Sequence, residues 1–350
     1  MSEPQTNFSK YFYIADRKTF QEVYAVSKLI VNKNVNSKDR HLKKLINLAL
    51  RNKLNPSDYP FVFKYAYVNV EQDNEKIITL AAAIHLLQTS TFVIDDIFDS
   101  SEVRNYDQTI YGKYGVNYAI LIGEFLQTTA LGTISSELEY GEFSNKPLVL
   151  KIFNKALRDL YVGQYLDIYS SANPNIRAVD YYRVISLTTG CFLASIAKCG
   201  ALLAGKPEAE VRIITKHSYY YGMALQITDD ILDLTHNPKL TGKSFGNDLR
   251  CRRMRLPYIL ALRSANNRDS ATLRRFLKQK NSSGTEIEAV AKLIEKCGAT
   301  DACKVIANRY LKKSLKSIAT MKSCLTKESL VWLSESLFTI QGLRENQNST

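Results

Sequence analysis

Residues 74–99 read NEKIITLAAAIHLLQTSTFVIDDIFD, and the reading of this stretch decides the fold class. Apolar side chains recur along it at helical spacing, with no Gly or Pro to interrupt them, so residues 74–98 are predicted to form one long helix. The C-terminal end of that helix carries Asp95, Asp96 and Asp99 in the pattern D-D-x-x-D. Positions i and i+4 share a helix face, so Asp95 and Asp99 project together. Carboxylates side by side among Ile and Phe are costly, because like charges repel and apolar surroundings disfavour ionisation. A helix carries such a cluster where a cation offsets it.

The pattern returns in ALQITDDILD, residues 224–233, with Asp229, Asp230 and Asp233. A single D-D-x-x-D is ordinarily an exposed acidic helix end, but two copies embedded in apolar sequence point to a site. Carboxylate oxygens without His or Cys are hard ligands that select Mg²⁺ or Mn²⁺ over zinc. Magnesium takes one or two protein carboxylates and completes its shell with water and phosphate. Two facing clusters are therefore expected to suspend a diphosphate through bridging ions. A di-iron carboxylate site is excluded, because it needs Glu-x-x-His pairs and the chain has none. Arg104, just beyond the first cluster, and Lys243, in the loop after the second, are the candidate diphosphate-binding cations.

Outward from these segments the helical pattern repeats over 114–137, 147–170, 179–204 and 207–234. Breaks fall at SNKP (144–147), SANPN (171–175), GKPE (205–208) and HNPKLTGKSFGND (236–248). No strand-turn-strand rhythm and no solenoid-length repeat is visible. The expectation is all-α, a single domain over 1–350, with catalytic helices in about 55–265 and C-terminal helices in about 285–340. NSSGT at 281–285 is the best linker candidate between those two groups.

Lys+Arg exceeds Asp+Glu by 47 to 34, a formal net charge of +13, which favours anionic partners. No arginine-rich arm or zinc-finger spacing appears, so nucleic acid is not an expected partner. The six cysteines form no C-x-x-C pair, and several lie in apolar helical stretches, which suits a reducing compartment. The N-terminal MSEPQTNFSKYF has neither signal-peptide nor transit-peptide character, and no uninterrupted apolar run approaches the ~20 residues of a membrane span. A cytoplasmic protein without a transmembrane segment is expected.

The sequence resembles the polyprenyl synthetase (trans-isoprenyl diphosphate synthase) family from about residue 55 to 340. The matching stretches are DDIFDSSEVR (95–104), GQYLD (163–167), TTGCFLASIAKCGALLAG (188–205), LQITDDILDLT (225–235) and GKSFGNDLRCRRMRLPYILAL (242–262). The resemblance implies the isoprenoid synthase fold, an antiparallel helix bundle around a deep apolar cavity, and a homodimer. It implies that Asp95, Asp96, Asp99, Asp229, Asp230 and Asp233 hold magnesium, three ions in all, with Mn²⁺ as a substitute. Arg104 and Lys243 would bind the allylic diphosphate, with Gln226 in support. Ser90 and Thr91 stand where family members carry aromatic side chains that limit chain length, and Leu86 and Leu87 lie one turn deeper. Small residues at 90 and 91 imply room for a C15–C20 or longer substrate. Tyr219, Tyr220, Tyr221 and Phe98 are candidates to shield a carbocation, against plain helix packing.

Departures from the family pattern gather on the side that binds isopentenyl diphosphate. With the family proline placed at Pro60, Asn55, Pro56, Ser57 and Tyr59 occupy the positions of Gly, Lys, Arg and Arg. Gln88 stands for a His, and Arg104-Asn105-Tyr106 for Arg-Arg-Gly; Lys53 and Lys64 are the only nearby basic alternatives. Thr188-Thr189 replaces a Lys-Thr pair, removing one diphosphate-binding lysine from the allylic side. Charge-assisted hydrogen bonds are worth about 1.5–3 kcal/mol each, so losing three or four weakens acceptor binding by orders of magnitude. The leading expectation is thus a Mg²⁺-dependent enzyme that ionises one allylic prenyl diphosphate, as a terpene synthase or as a prenyltransferase to another acceptor. The alternatives are a conventional polyprenyl diphosphate synthase, and a non-catalytic subunit of a heteromeric synthase, which two intact clusters argue against.

Overall fold

The computed structural model describes residues 4–51, 59–68, 74–104, 107–234, 245–279 and 281–340. The elements run α1 (Pro4–Asn34), α2 (Arg40–Ala49), α3 (Tyr59–Tyr67), α4 (Asn74–Phe98), β1 (Val103–Arg104), β2 (Asp107–Gln108), α5 (Ile110–Tyr114), α6 (Val116–Tyr140) and α7 (Lys146–Ser170). There follow α8 (Ala178–Ile185), a π-turn (Ser186–Gly190), α9 (Cys191–Leu203), α10 (Glu208–Leu232) and α11 (Asn247–Arg250). The chain continues through α12 (Leu256–Ser264), α13 (Asn267–Lys278), α14 (Gly284–Lys296), α15 (Ala299–Ile318) and α16 (Leu325–Ile340). The fold is all-α, as the hydrophobic periodicity requires, and α4 has the predicted bounds. The strands are a two-residue antiparallel ladder, Val103 opposite Gln108 and Arg104 opposite Asp107, too short to leave a period-2 signal in the sequence.

The chain divides into two compact units, each discontinuous in sequence. The first comprises residues 1–153, 196–215 and 321–333. Here α4 packs against α6, α1 and α3. Close approach of α6 depends on Gly123, where a Cβ would stand 2.6 Å from Ile94 Cδ1. The long α1, outside the helices predicted from periodicity, supplies Ser27, whose hydroxyl lies 2.9 Å from Nδ1 of the buried His85 on α4. Burial disfavours the imidazolium there and lowers the His85 pKa to about 4.

The second unit comprises residues 154–195, 216–320 and 334–350. Its core joins Tyr181, Ile227, Leu256, Leu273, Ile294 and Ala307 from six helices. The predicted 179–204 helix is one helical run with a wide turn inside it, the π-turn that carries Thr188 and Thr189. Such turns recur at functional sites. Gly190 and Gly222 let this turn and α10 touch: a Cβ on Gly222 would lie 3.0 Å from Gly190 Cα. The linker candidate NSSGT falls within this unit. Ser283 caps α14, its hydroxyl accepting the Glu286 N–H while Glu286 accepts the Ser283 N–H in return.

Among the described residues two helical stretches, Lys76–Phe98 and Ala178–Leu203, are long and apolar enough by length and composition to cross a membrane, contrary to the expectation from uninterrupted apolar runs. In their most apolar windows 78% and 67% of residues are buried within the protein, as expected of core helices.

Candidate active site

The first cluster lies in the first unit, on the last turn of α4. Ser100 follows with φ 47, a left-handed residue that ends the helix, and the short ladder then brings Arg104 back. Arg104 Nε donates to Asp96 Oδ1 at 2.9 Å, and its Nη2 lies 3.4 Å from Asp95 Oδ2. The guanidinium also sits 4.8 Å from the Phe92 ring centre, a cation–π placement. Asp96 is buried, whereas Asp95 and Asp99 are half-buried. Arg104, predicted to bind diphosphate, is thus turned onto the cluster itself.

The second cluster lies in the second unit, at the end of α10, and its three carboxylates differ sharply in surroundings. Asp229 is exposed, Asp230 is buried and Asp233 is half-buried. Asp230 accepts the Tyr181 hydroxyl at 2.5 Å and Gln226 Nε2 at 3.0 Å. Gln226 in turn accepts the Thr189 hydroxyl at 2.8 Å, which ties the π-turn to the cluster. Burial pushes the Asp230 pKa up to about 7, with Asp248 adding to the rise; Arg255 and the Tyr181 and Gln226 hydrogen bonds oppose it. Asp233 uses both oxygens on backbone, accepting Asn247 N–H at 3.1 Å and Asp248 N–H at 3.0 Å. That capture holds the loop where it re-enters at Gly246 (φ 65), a conformation glycine adopts at no steric cost.

Composition and spacing did not single out the residues around Asp230. Asp167 closes the GQYLD segment, and Arg253 and Arg255 come from the arginine concentration at 250–255. Arg255 pairs with Asp167 at 2.8 Å and with Asp248 at 2.9 Å, while Arg253 stands 3.5 Å from Asp167. The available signal was an Asp and an Arg cluster inside matched segments, each needing a partner of opposite charge.

Lys243, Lys53, Asn55, Pro56, Ser57, Asn105 and Tyr106 lie outside the described residues. Of the remaining acceptor-side positions, Gln88 is buried and its Oε1 accepts the Tyr59 N–H at 3.0 Å. Lys64 donates to the Thr19 hydroxyl. On α4, Leu86, Leu87 and Ser90 are buried and Thr91 is half-buried, its hydroxyl bonded to Gln88 O at 2.8 Å. Tyr221 stacks on His217 inside the second unit, Tyr220 tilts against Tyr310, and the Tyr219 hydroxyl meets Ser186 at 3.1 Å. Phe98 is exposed.

The donors are oxygens throughout, which suits a hard divalent cation. Among the described residues no group of three or more His, Cys, Asp or Glu converges on one point, so no all-protein metal cage is present. That arrangement fits an ion which takes few protein ligands and leaves most of its shell to water and phosphate.

A family model described as polyprenyl synthetase matches residues 25–294. The geranylfarnesyl diphosphate synthase of Aeropyrum pernix is 30% identical over 240 residues, 68% of this chain and 74% of that protein. The octaprenyl diphosphate synthase of Escherichia coli (strain K12) is 25% identical over 274 residues, 78% of this chain and 82% of that one. The crystal structure of geranylgeranyl pyrophosphate synthetase from Pyrococcus horikoshii Ot3 aligns with a TM-score of 0.79 at 26% identity, covering 94% and 98% of the two chains.

Proposed function

The chain belongs to the polyprenyl synthetase family and is an enzyme of the prenyltransferase class, and we propose that it is a prenyl diphosphate synthase. In this reading it joins an allylic prenyl diphosphate of C15–C20 or longer to isopentenyl diphosphate with loss of diphosphate. The conventional synthase thereby moves ahead of the terpene-synthase reading favoured by the sequence motifs alone. The observation that carries it is the presence of both aspartate clusters in a chain whose relatives are named as diphosphate synthases.

Each cluster would supply carboxylates to magnesium ions that carry substrate diphosphate; Asp229 is the exposed member, and Asp95, Asp96, Asp99, Asp230 and Asp233 complete the sets. Magnesium held there would supply Lewis-acid chemistry to the departing diphosphate. Arg104, which rests on Asp95 and Asp96, would bind the substrate phosphate, with Lys243 as the second phosphate-binding cation. Gln226 and Thr189 hold Asp230 in place beneath the exposed Asp229. Ser90, Thr91, Leu87 and Leu86 set the depth available to the prenyl chain. A homodimer belongs to the same reading, and the exposed Val116, Ile120 and Leu121 on α6 are candidate contacts for it.

One observation favours a second reading, a single-substrate enzyme that ionises the allylic diphosphate without isopentenyl diphosphate. Gln88 brings no positive charge to the histidine position, and its carbonyl is already engaged by Tyr59 N–H. Product analysis with Mg²⁺ and farnesyl or geranylgeranyl diphosphate, with and without isopentenyl diphosphate, separates the two. Elongated diphosphates that require isopentenyl diphosphate support the synthase; a hydrocarbon or alcohol formed without it supports the second reading.

A further inference from the structure

Arg255 meets carboxylates from three separate segments of the second unit. Its Nη1 lies 2.8 Å from Asp167 Oδ1 on α7, and its Nε lies 2.9 Å from Asp248 Oδ1 on α11. The same Nε stands 3.9 Å from Asp230 Oδ1 on α10. These side chains are little exposed: 9% for Asp167, 1% for Asp230, 19% for Asp248 and 15% for Arg255.

Three carboxylates that share one guanidinium repel one another, and removing Arg255 takes that cation from all three, leaving Asp167 the Arg253 contact at 3.5 Å. A guanidinium suits the position because its planar fork addresses several oxygens from different directions and stays charged. An ammonium is a single point charge and cannot span the same set. Arg255 also reaches further along the cluster than its own contacts. The Asp248 N–H donates to Asp233, so the side chain that fixes Asp248 also steadies the loop Asp233 grips. Two of the three clustered aspartates therefore depend on Arg255, Asp230 directly and Asp233 through Asp248, while Asp229 stays on the exposed side.

We infer that Arg255 is a positioning residue for the second aspartate cluster, a built-in cation shared by Asp167, Asp230 and Asp248. The inference rests on the prenyl-transfer reading for its activity readout only. Metal binding to the protein alone is independent of that reading.

The test titrates the purified full chain with Mn²⁺, without any diphosphate, and counts bound ions by electron paramagnetic resonance. Arg255→Ala is expected to bind about one ion fewer per chain than wild type, because Asp230 and Asp233 are then no longer held in place. It should melt lower than wild type with or without Mg²⁺. With prenyl substrates, kcat should fall about tenfold or more while KM for the allylic diphosphate stays within about twofold, the signature of a misplaced group. Arg255→Lys should keep the wild-type Mn²⁺ number and still lose kcat, and it decides the matter should the alanine variant not fold. An unchanged Mn²⁺ number in Arg255→Ala overturns the inference, as does wild-type kcat in Arg255→Lys. If wild type turns over no prenyl diphosphate at all, the functional reading fails and the Mn²⁺ count still tests Arg255.

Discussion

On α4 the letters D-D-x-x-D leave two half-buried carboxylates and one buried one, with a single arginine laid across Asp95 and Asp96. On α10 the same letters leave Asp229 exposed, bury Asp230 beneath Tyr181 and Gln226, and give both oxygens of Asp233 to backbone N–H groups. One pattern is thus built in two ways. In the first unit the counter-charge is the Arg104 side chain, returned by the short ladder; in the second it is a web of hydrogen bonds and Arg255. A motif gives spacing on a helix face, but the environment of each carboxylate comes from segments far away in sequence.

Several substitutions can break or sharpen this comparison. The largest effect is expected for Asp95→Ala and Asp229→Ala, each lowering diphosphate release by about 10²–10³-fold or more, the scale of losing a main electrostatic contact. Melting temperature should stay near wild type in Asp229→Ala because that side chain is exposed; wild-type turnover in both variants would remove the two-cluster mechanism.

The units should also differ in their response to pH. His85 has its pKa lowered to about 4 in the folded chain, below the ordinary unfolded value, so its contribution is present above about pH 6.5 and is lost as pH falls towards 4. The loss reaches about 3 kcal/mol at most, and acid unfolding of His85→Gln should be flatter over that range in a circular-dichroism titration. Asp230, raised to about 7 by burial, works in the opposite sense: its contribution is greatest below the ordinary carboxylate pKa and fades as pH rises towards 7. Equal acid sensitivity of wild type and His85→Gln would contradict the assignment for the first unit.

Asp233→Ala removes the acceptor for two backbone N–H groups and should cost about 1–3 kcal/mol in unfolding free energy, a few degrees in Tm. Asp99→Ala should cost activity with a smaller fall in Tm, and equal Tm losses in the two variants would erase the contrast between the clusters. The smallest effect is expected for Ser90→Phe, which should shorten the longest accepted allylic substrate without abolishing turnover. An unchanged chain-length profile would discard the role given to that turn of α4.

Much of the fold could be read directly. The bounds of α4 follow from an uninterrupted apolar period, and the breaks near SNKP, SANPN and GKPE fall where helices end. The helical runs starting near residues 116, 146, 178 and 208 lie within a few residues of their predicted starts. The long α1 was missed because its polar residues blur the apolar stripe, and helix formation there depends on packing against α4. The two aspartate clusters stand out from spacing as helix-end motifs, and Gln226 was named by the resemblance. Asp167, Tyr181 and Arg255 were not, because what assembles them is long-range packing of α7, α8 and the segment before α12. No local period records which distant carboxylate an arginine will meet.

The measurement that tests the central claim most directly is calorimetric titration with an unreactive allylic diphosphate whose bridging oxygen is sulfur, with and without Mg²⁺. Binding that needs Mg²⁺ and is lost in both Asp95→Ala and Asp229→Ala is the predicted result. Binding of equal strength without Mg²⁺, or retained in both variants, would contradict metal-dependent diphosphate binding that needs both clusters.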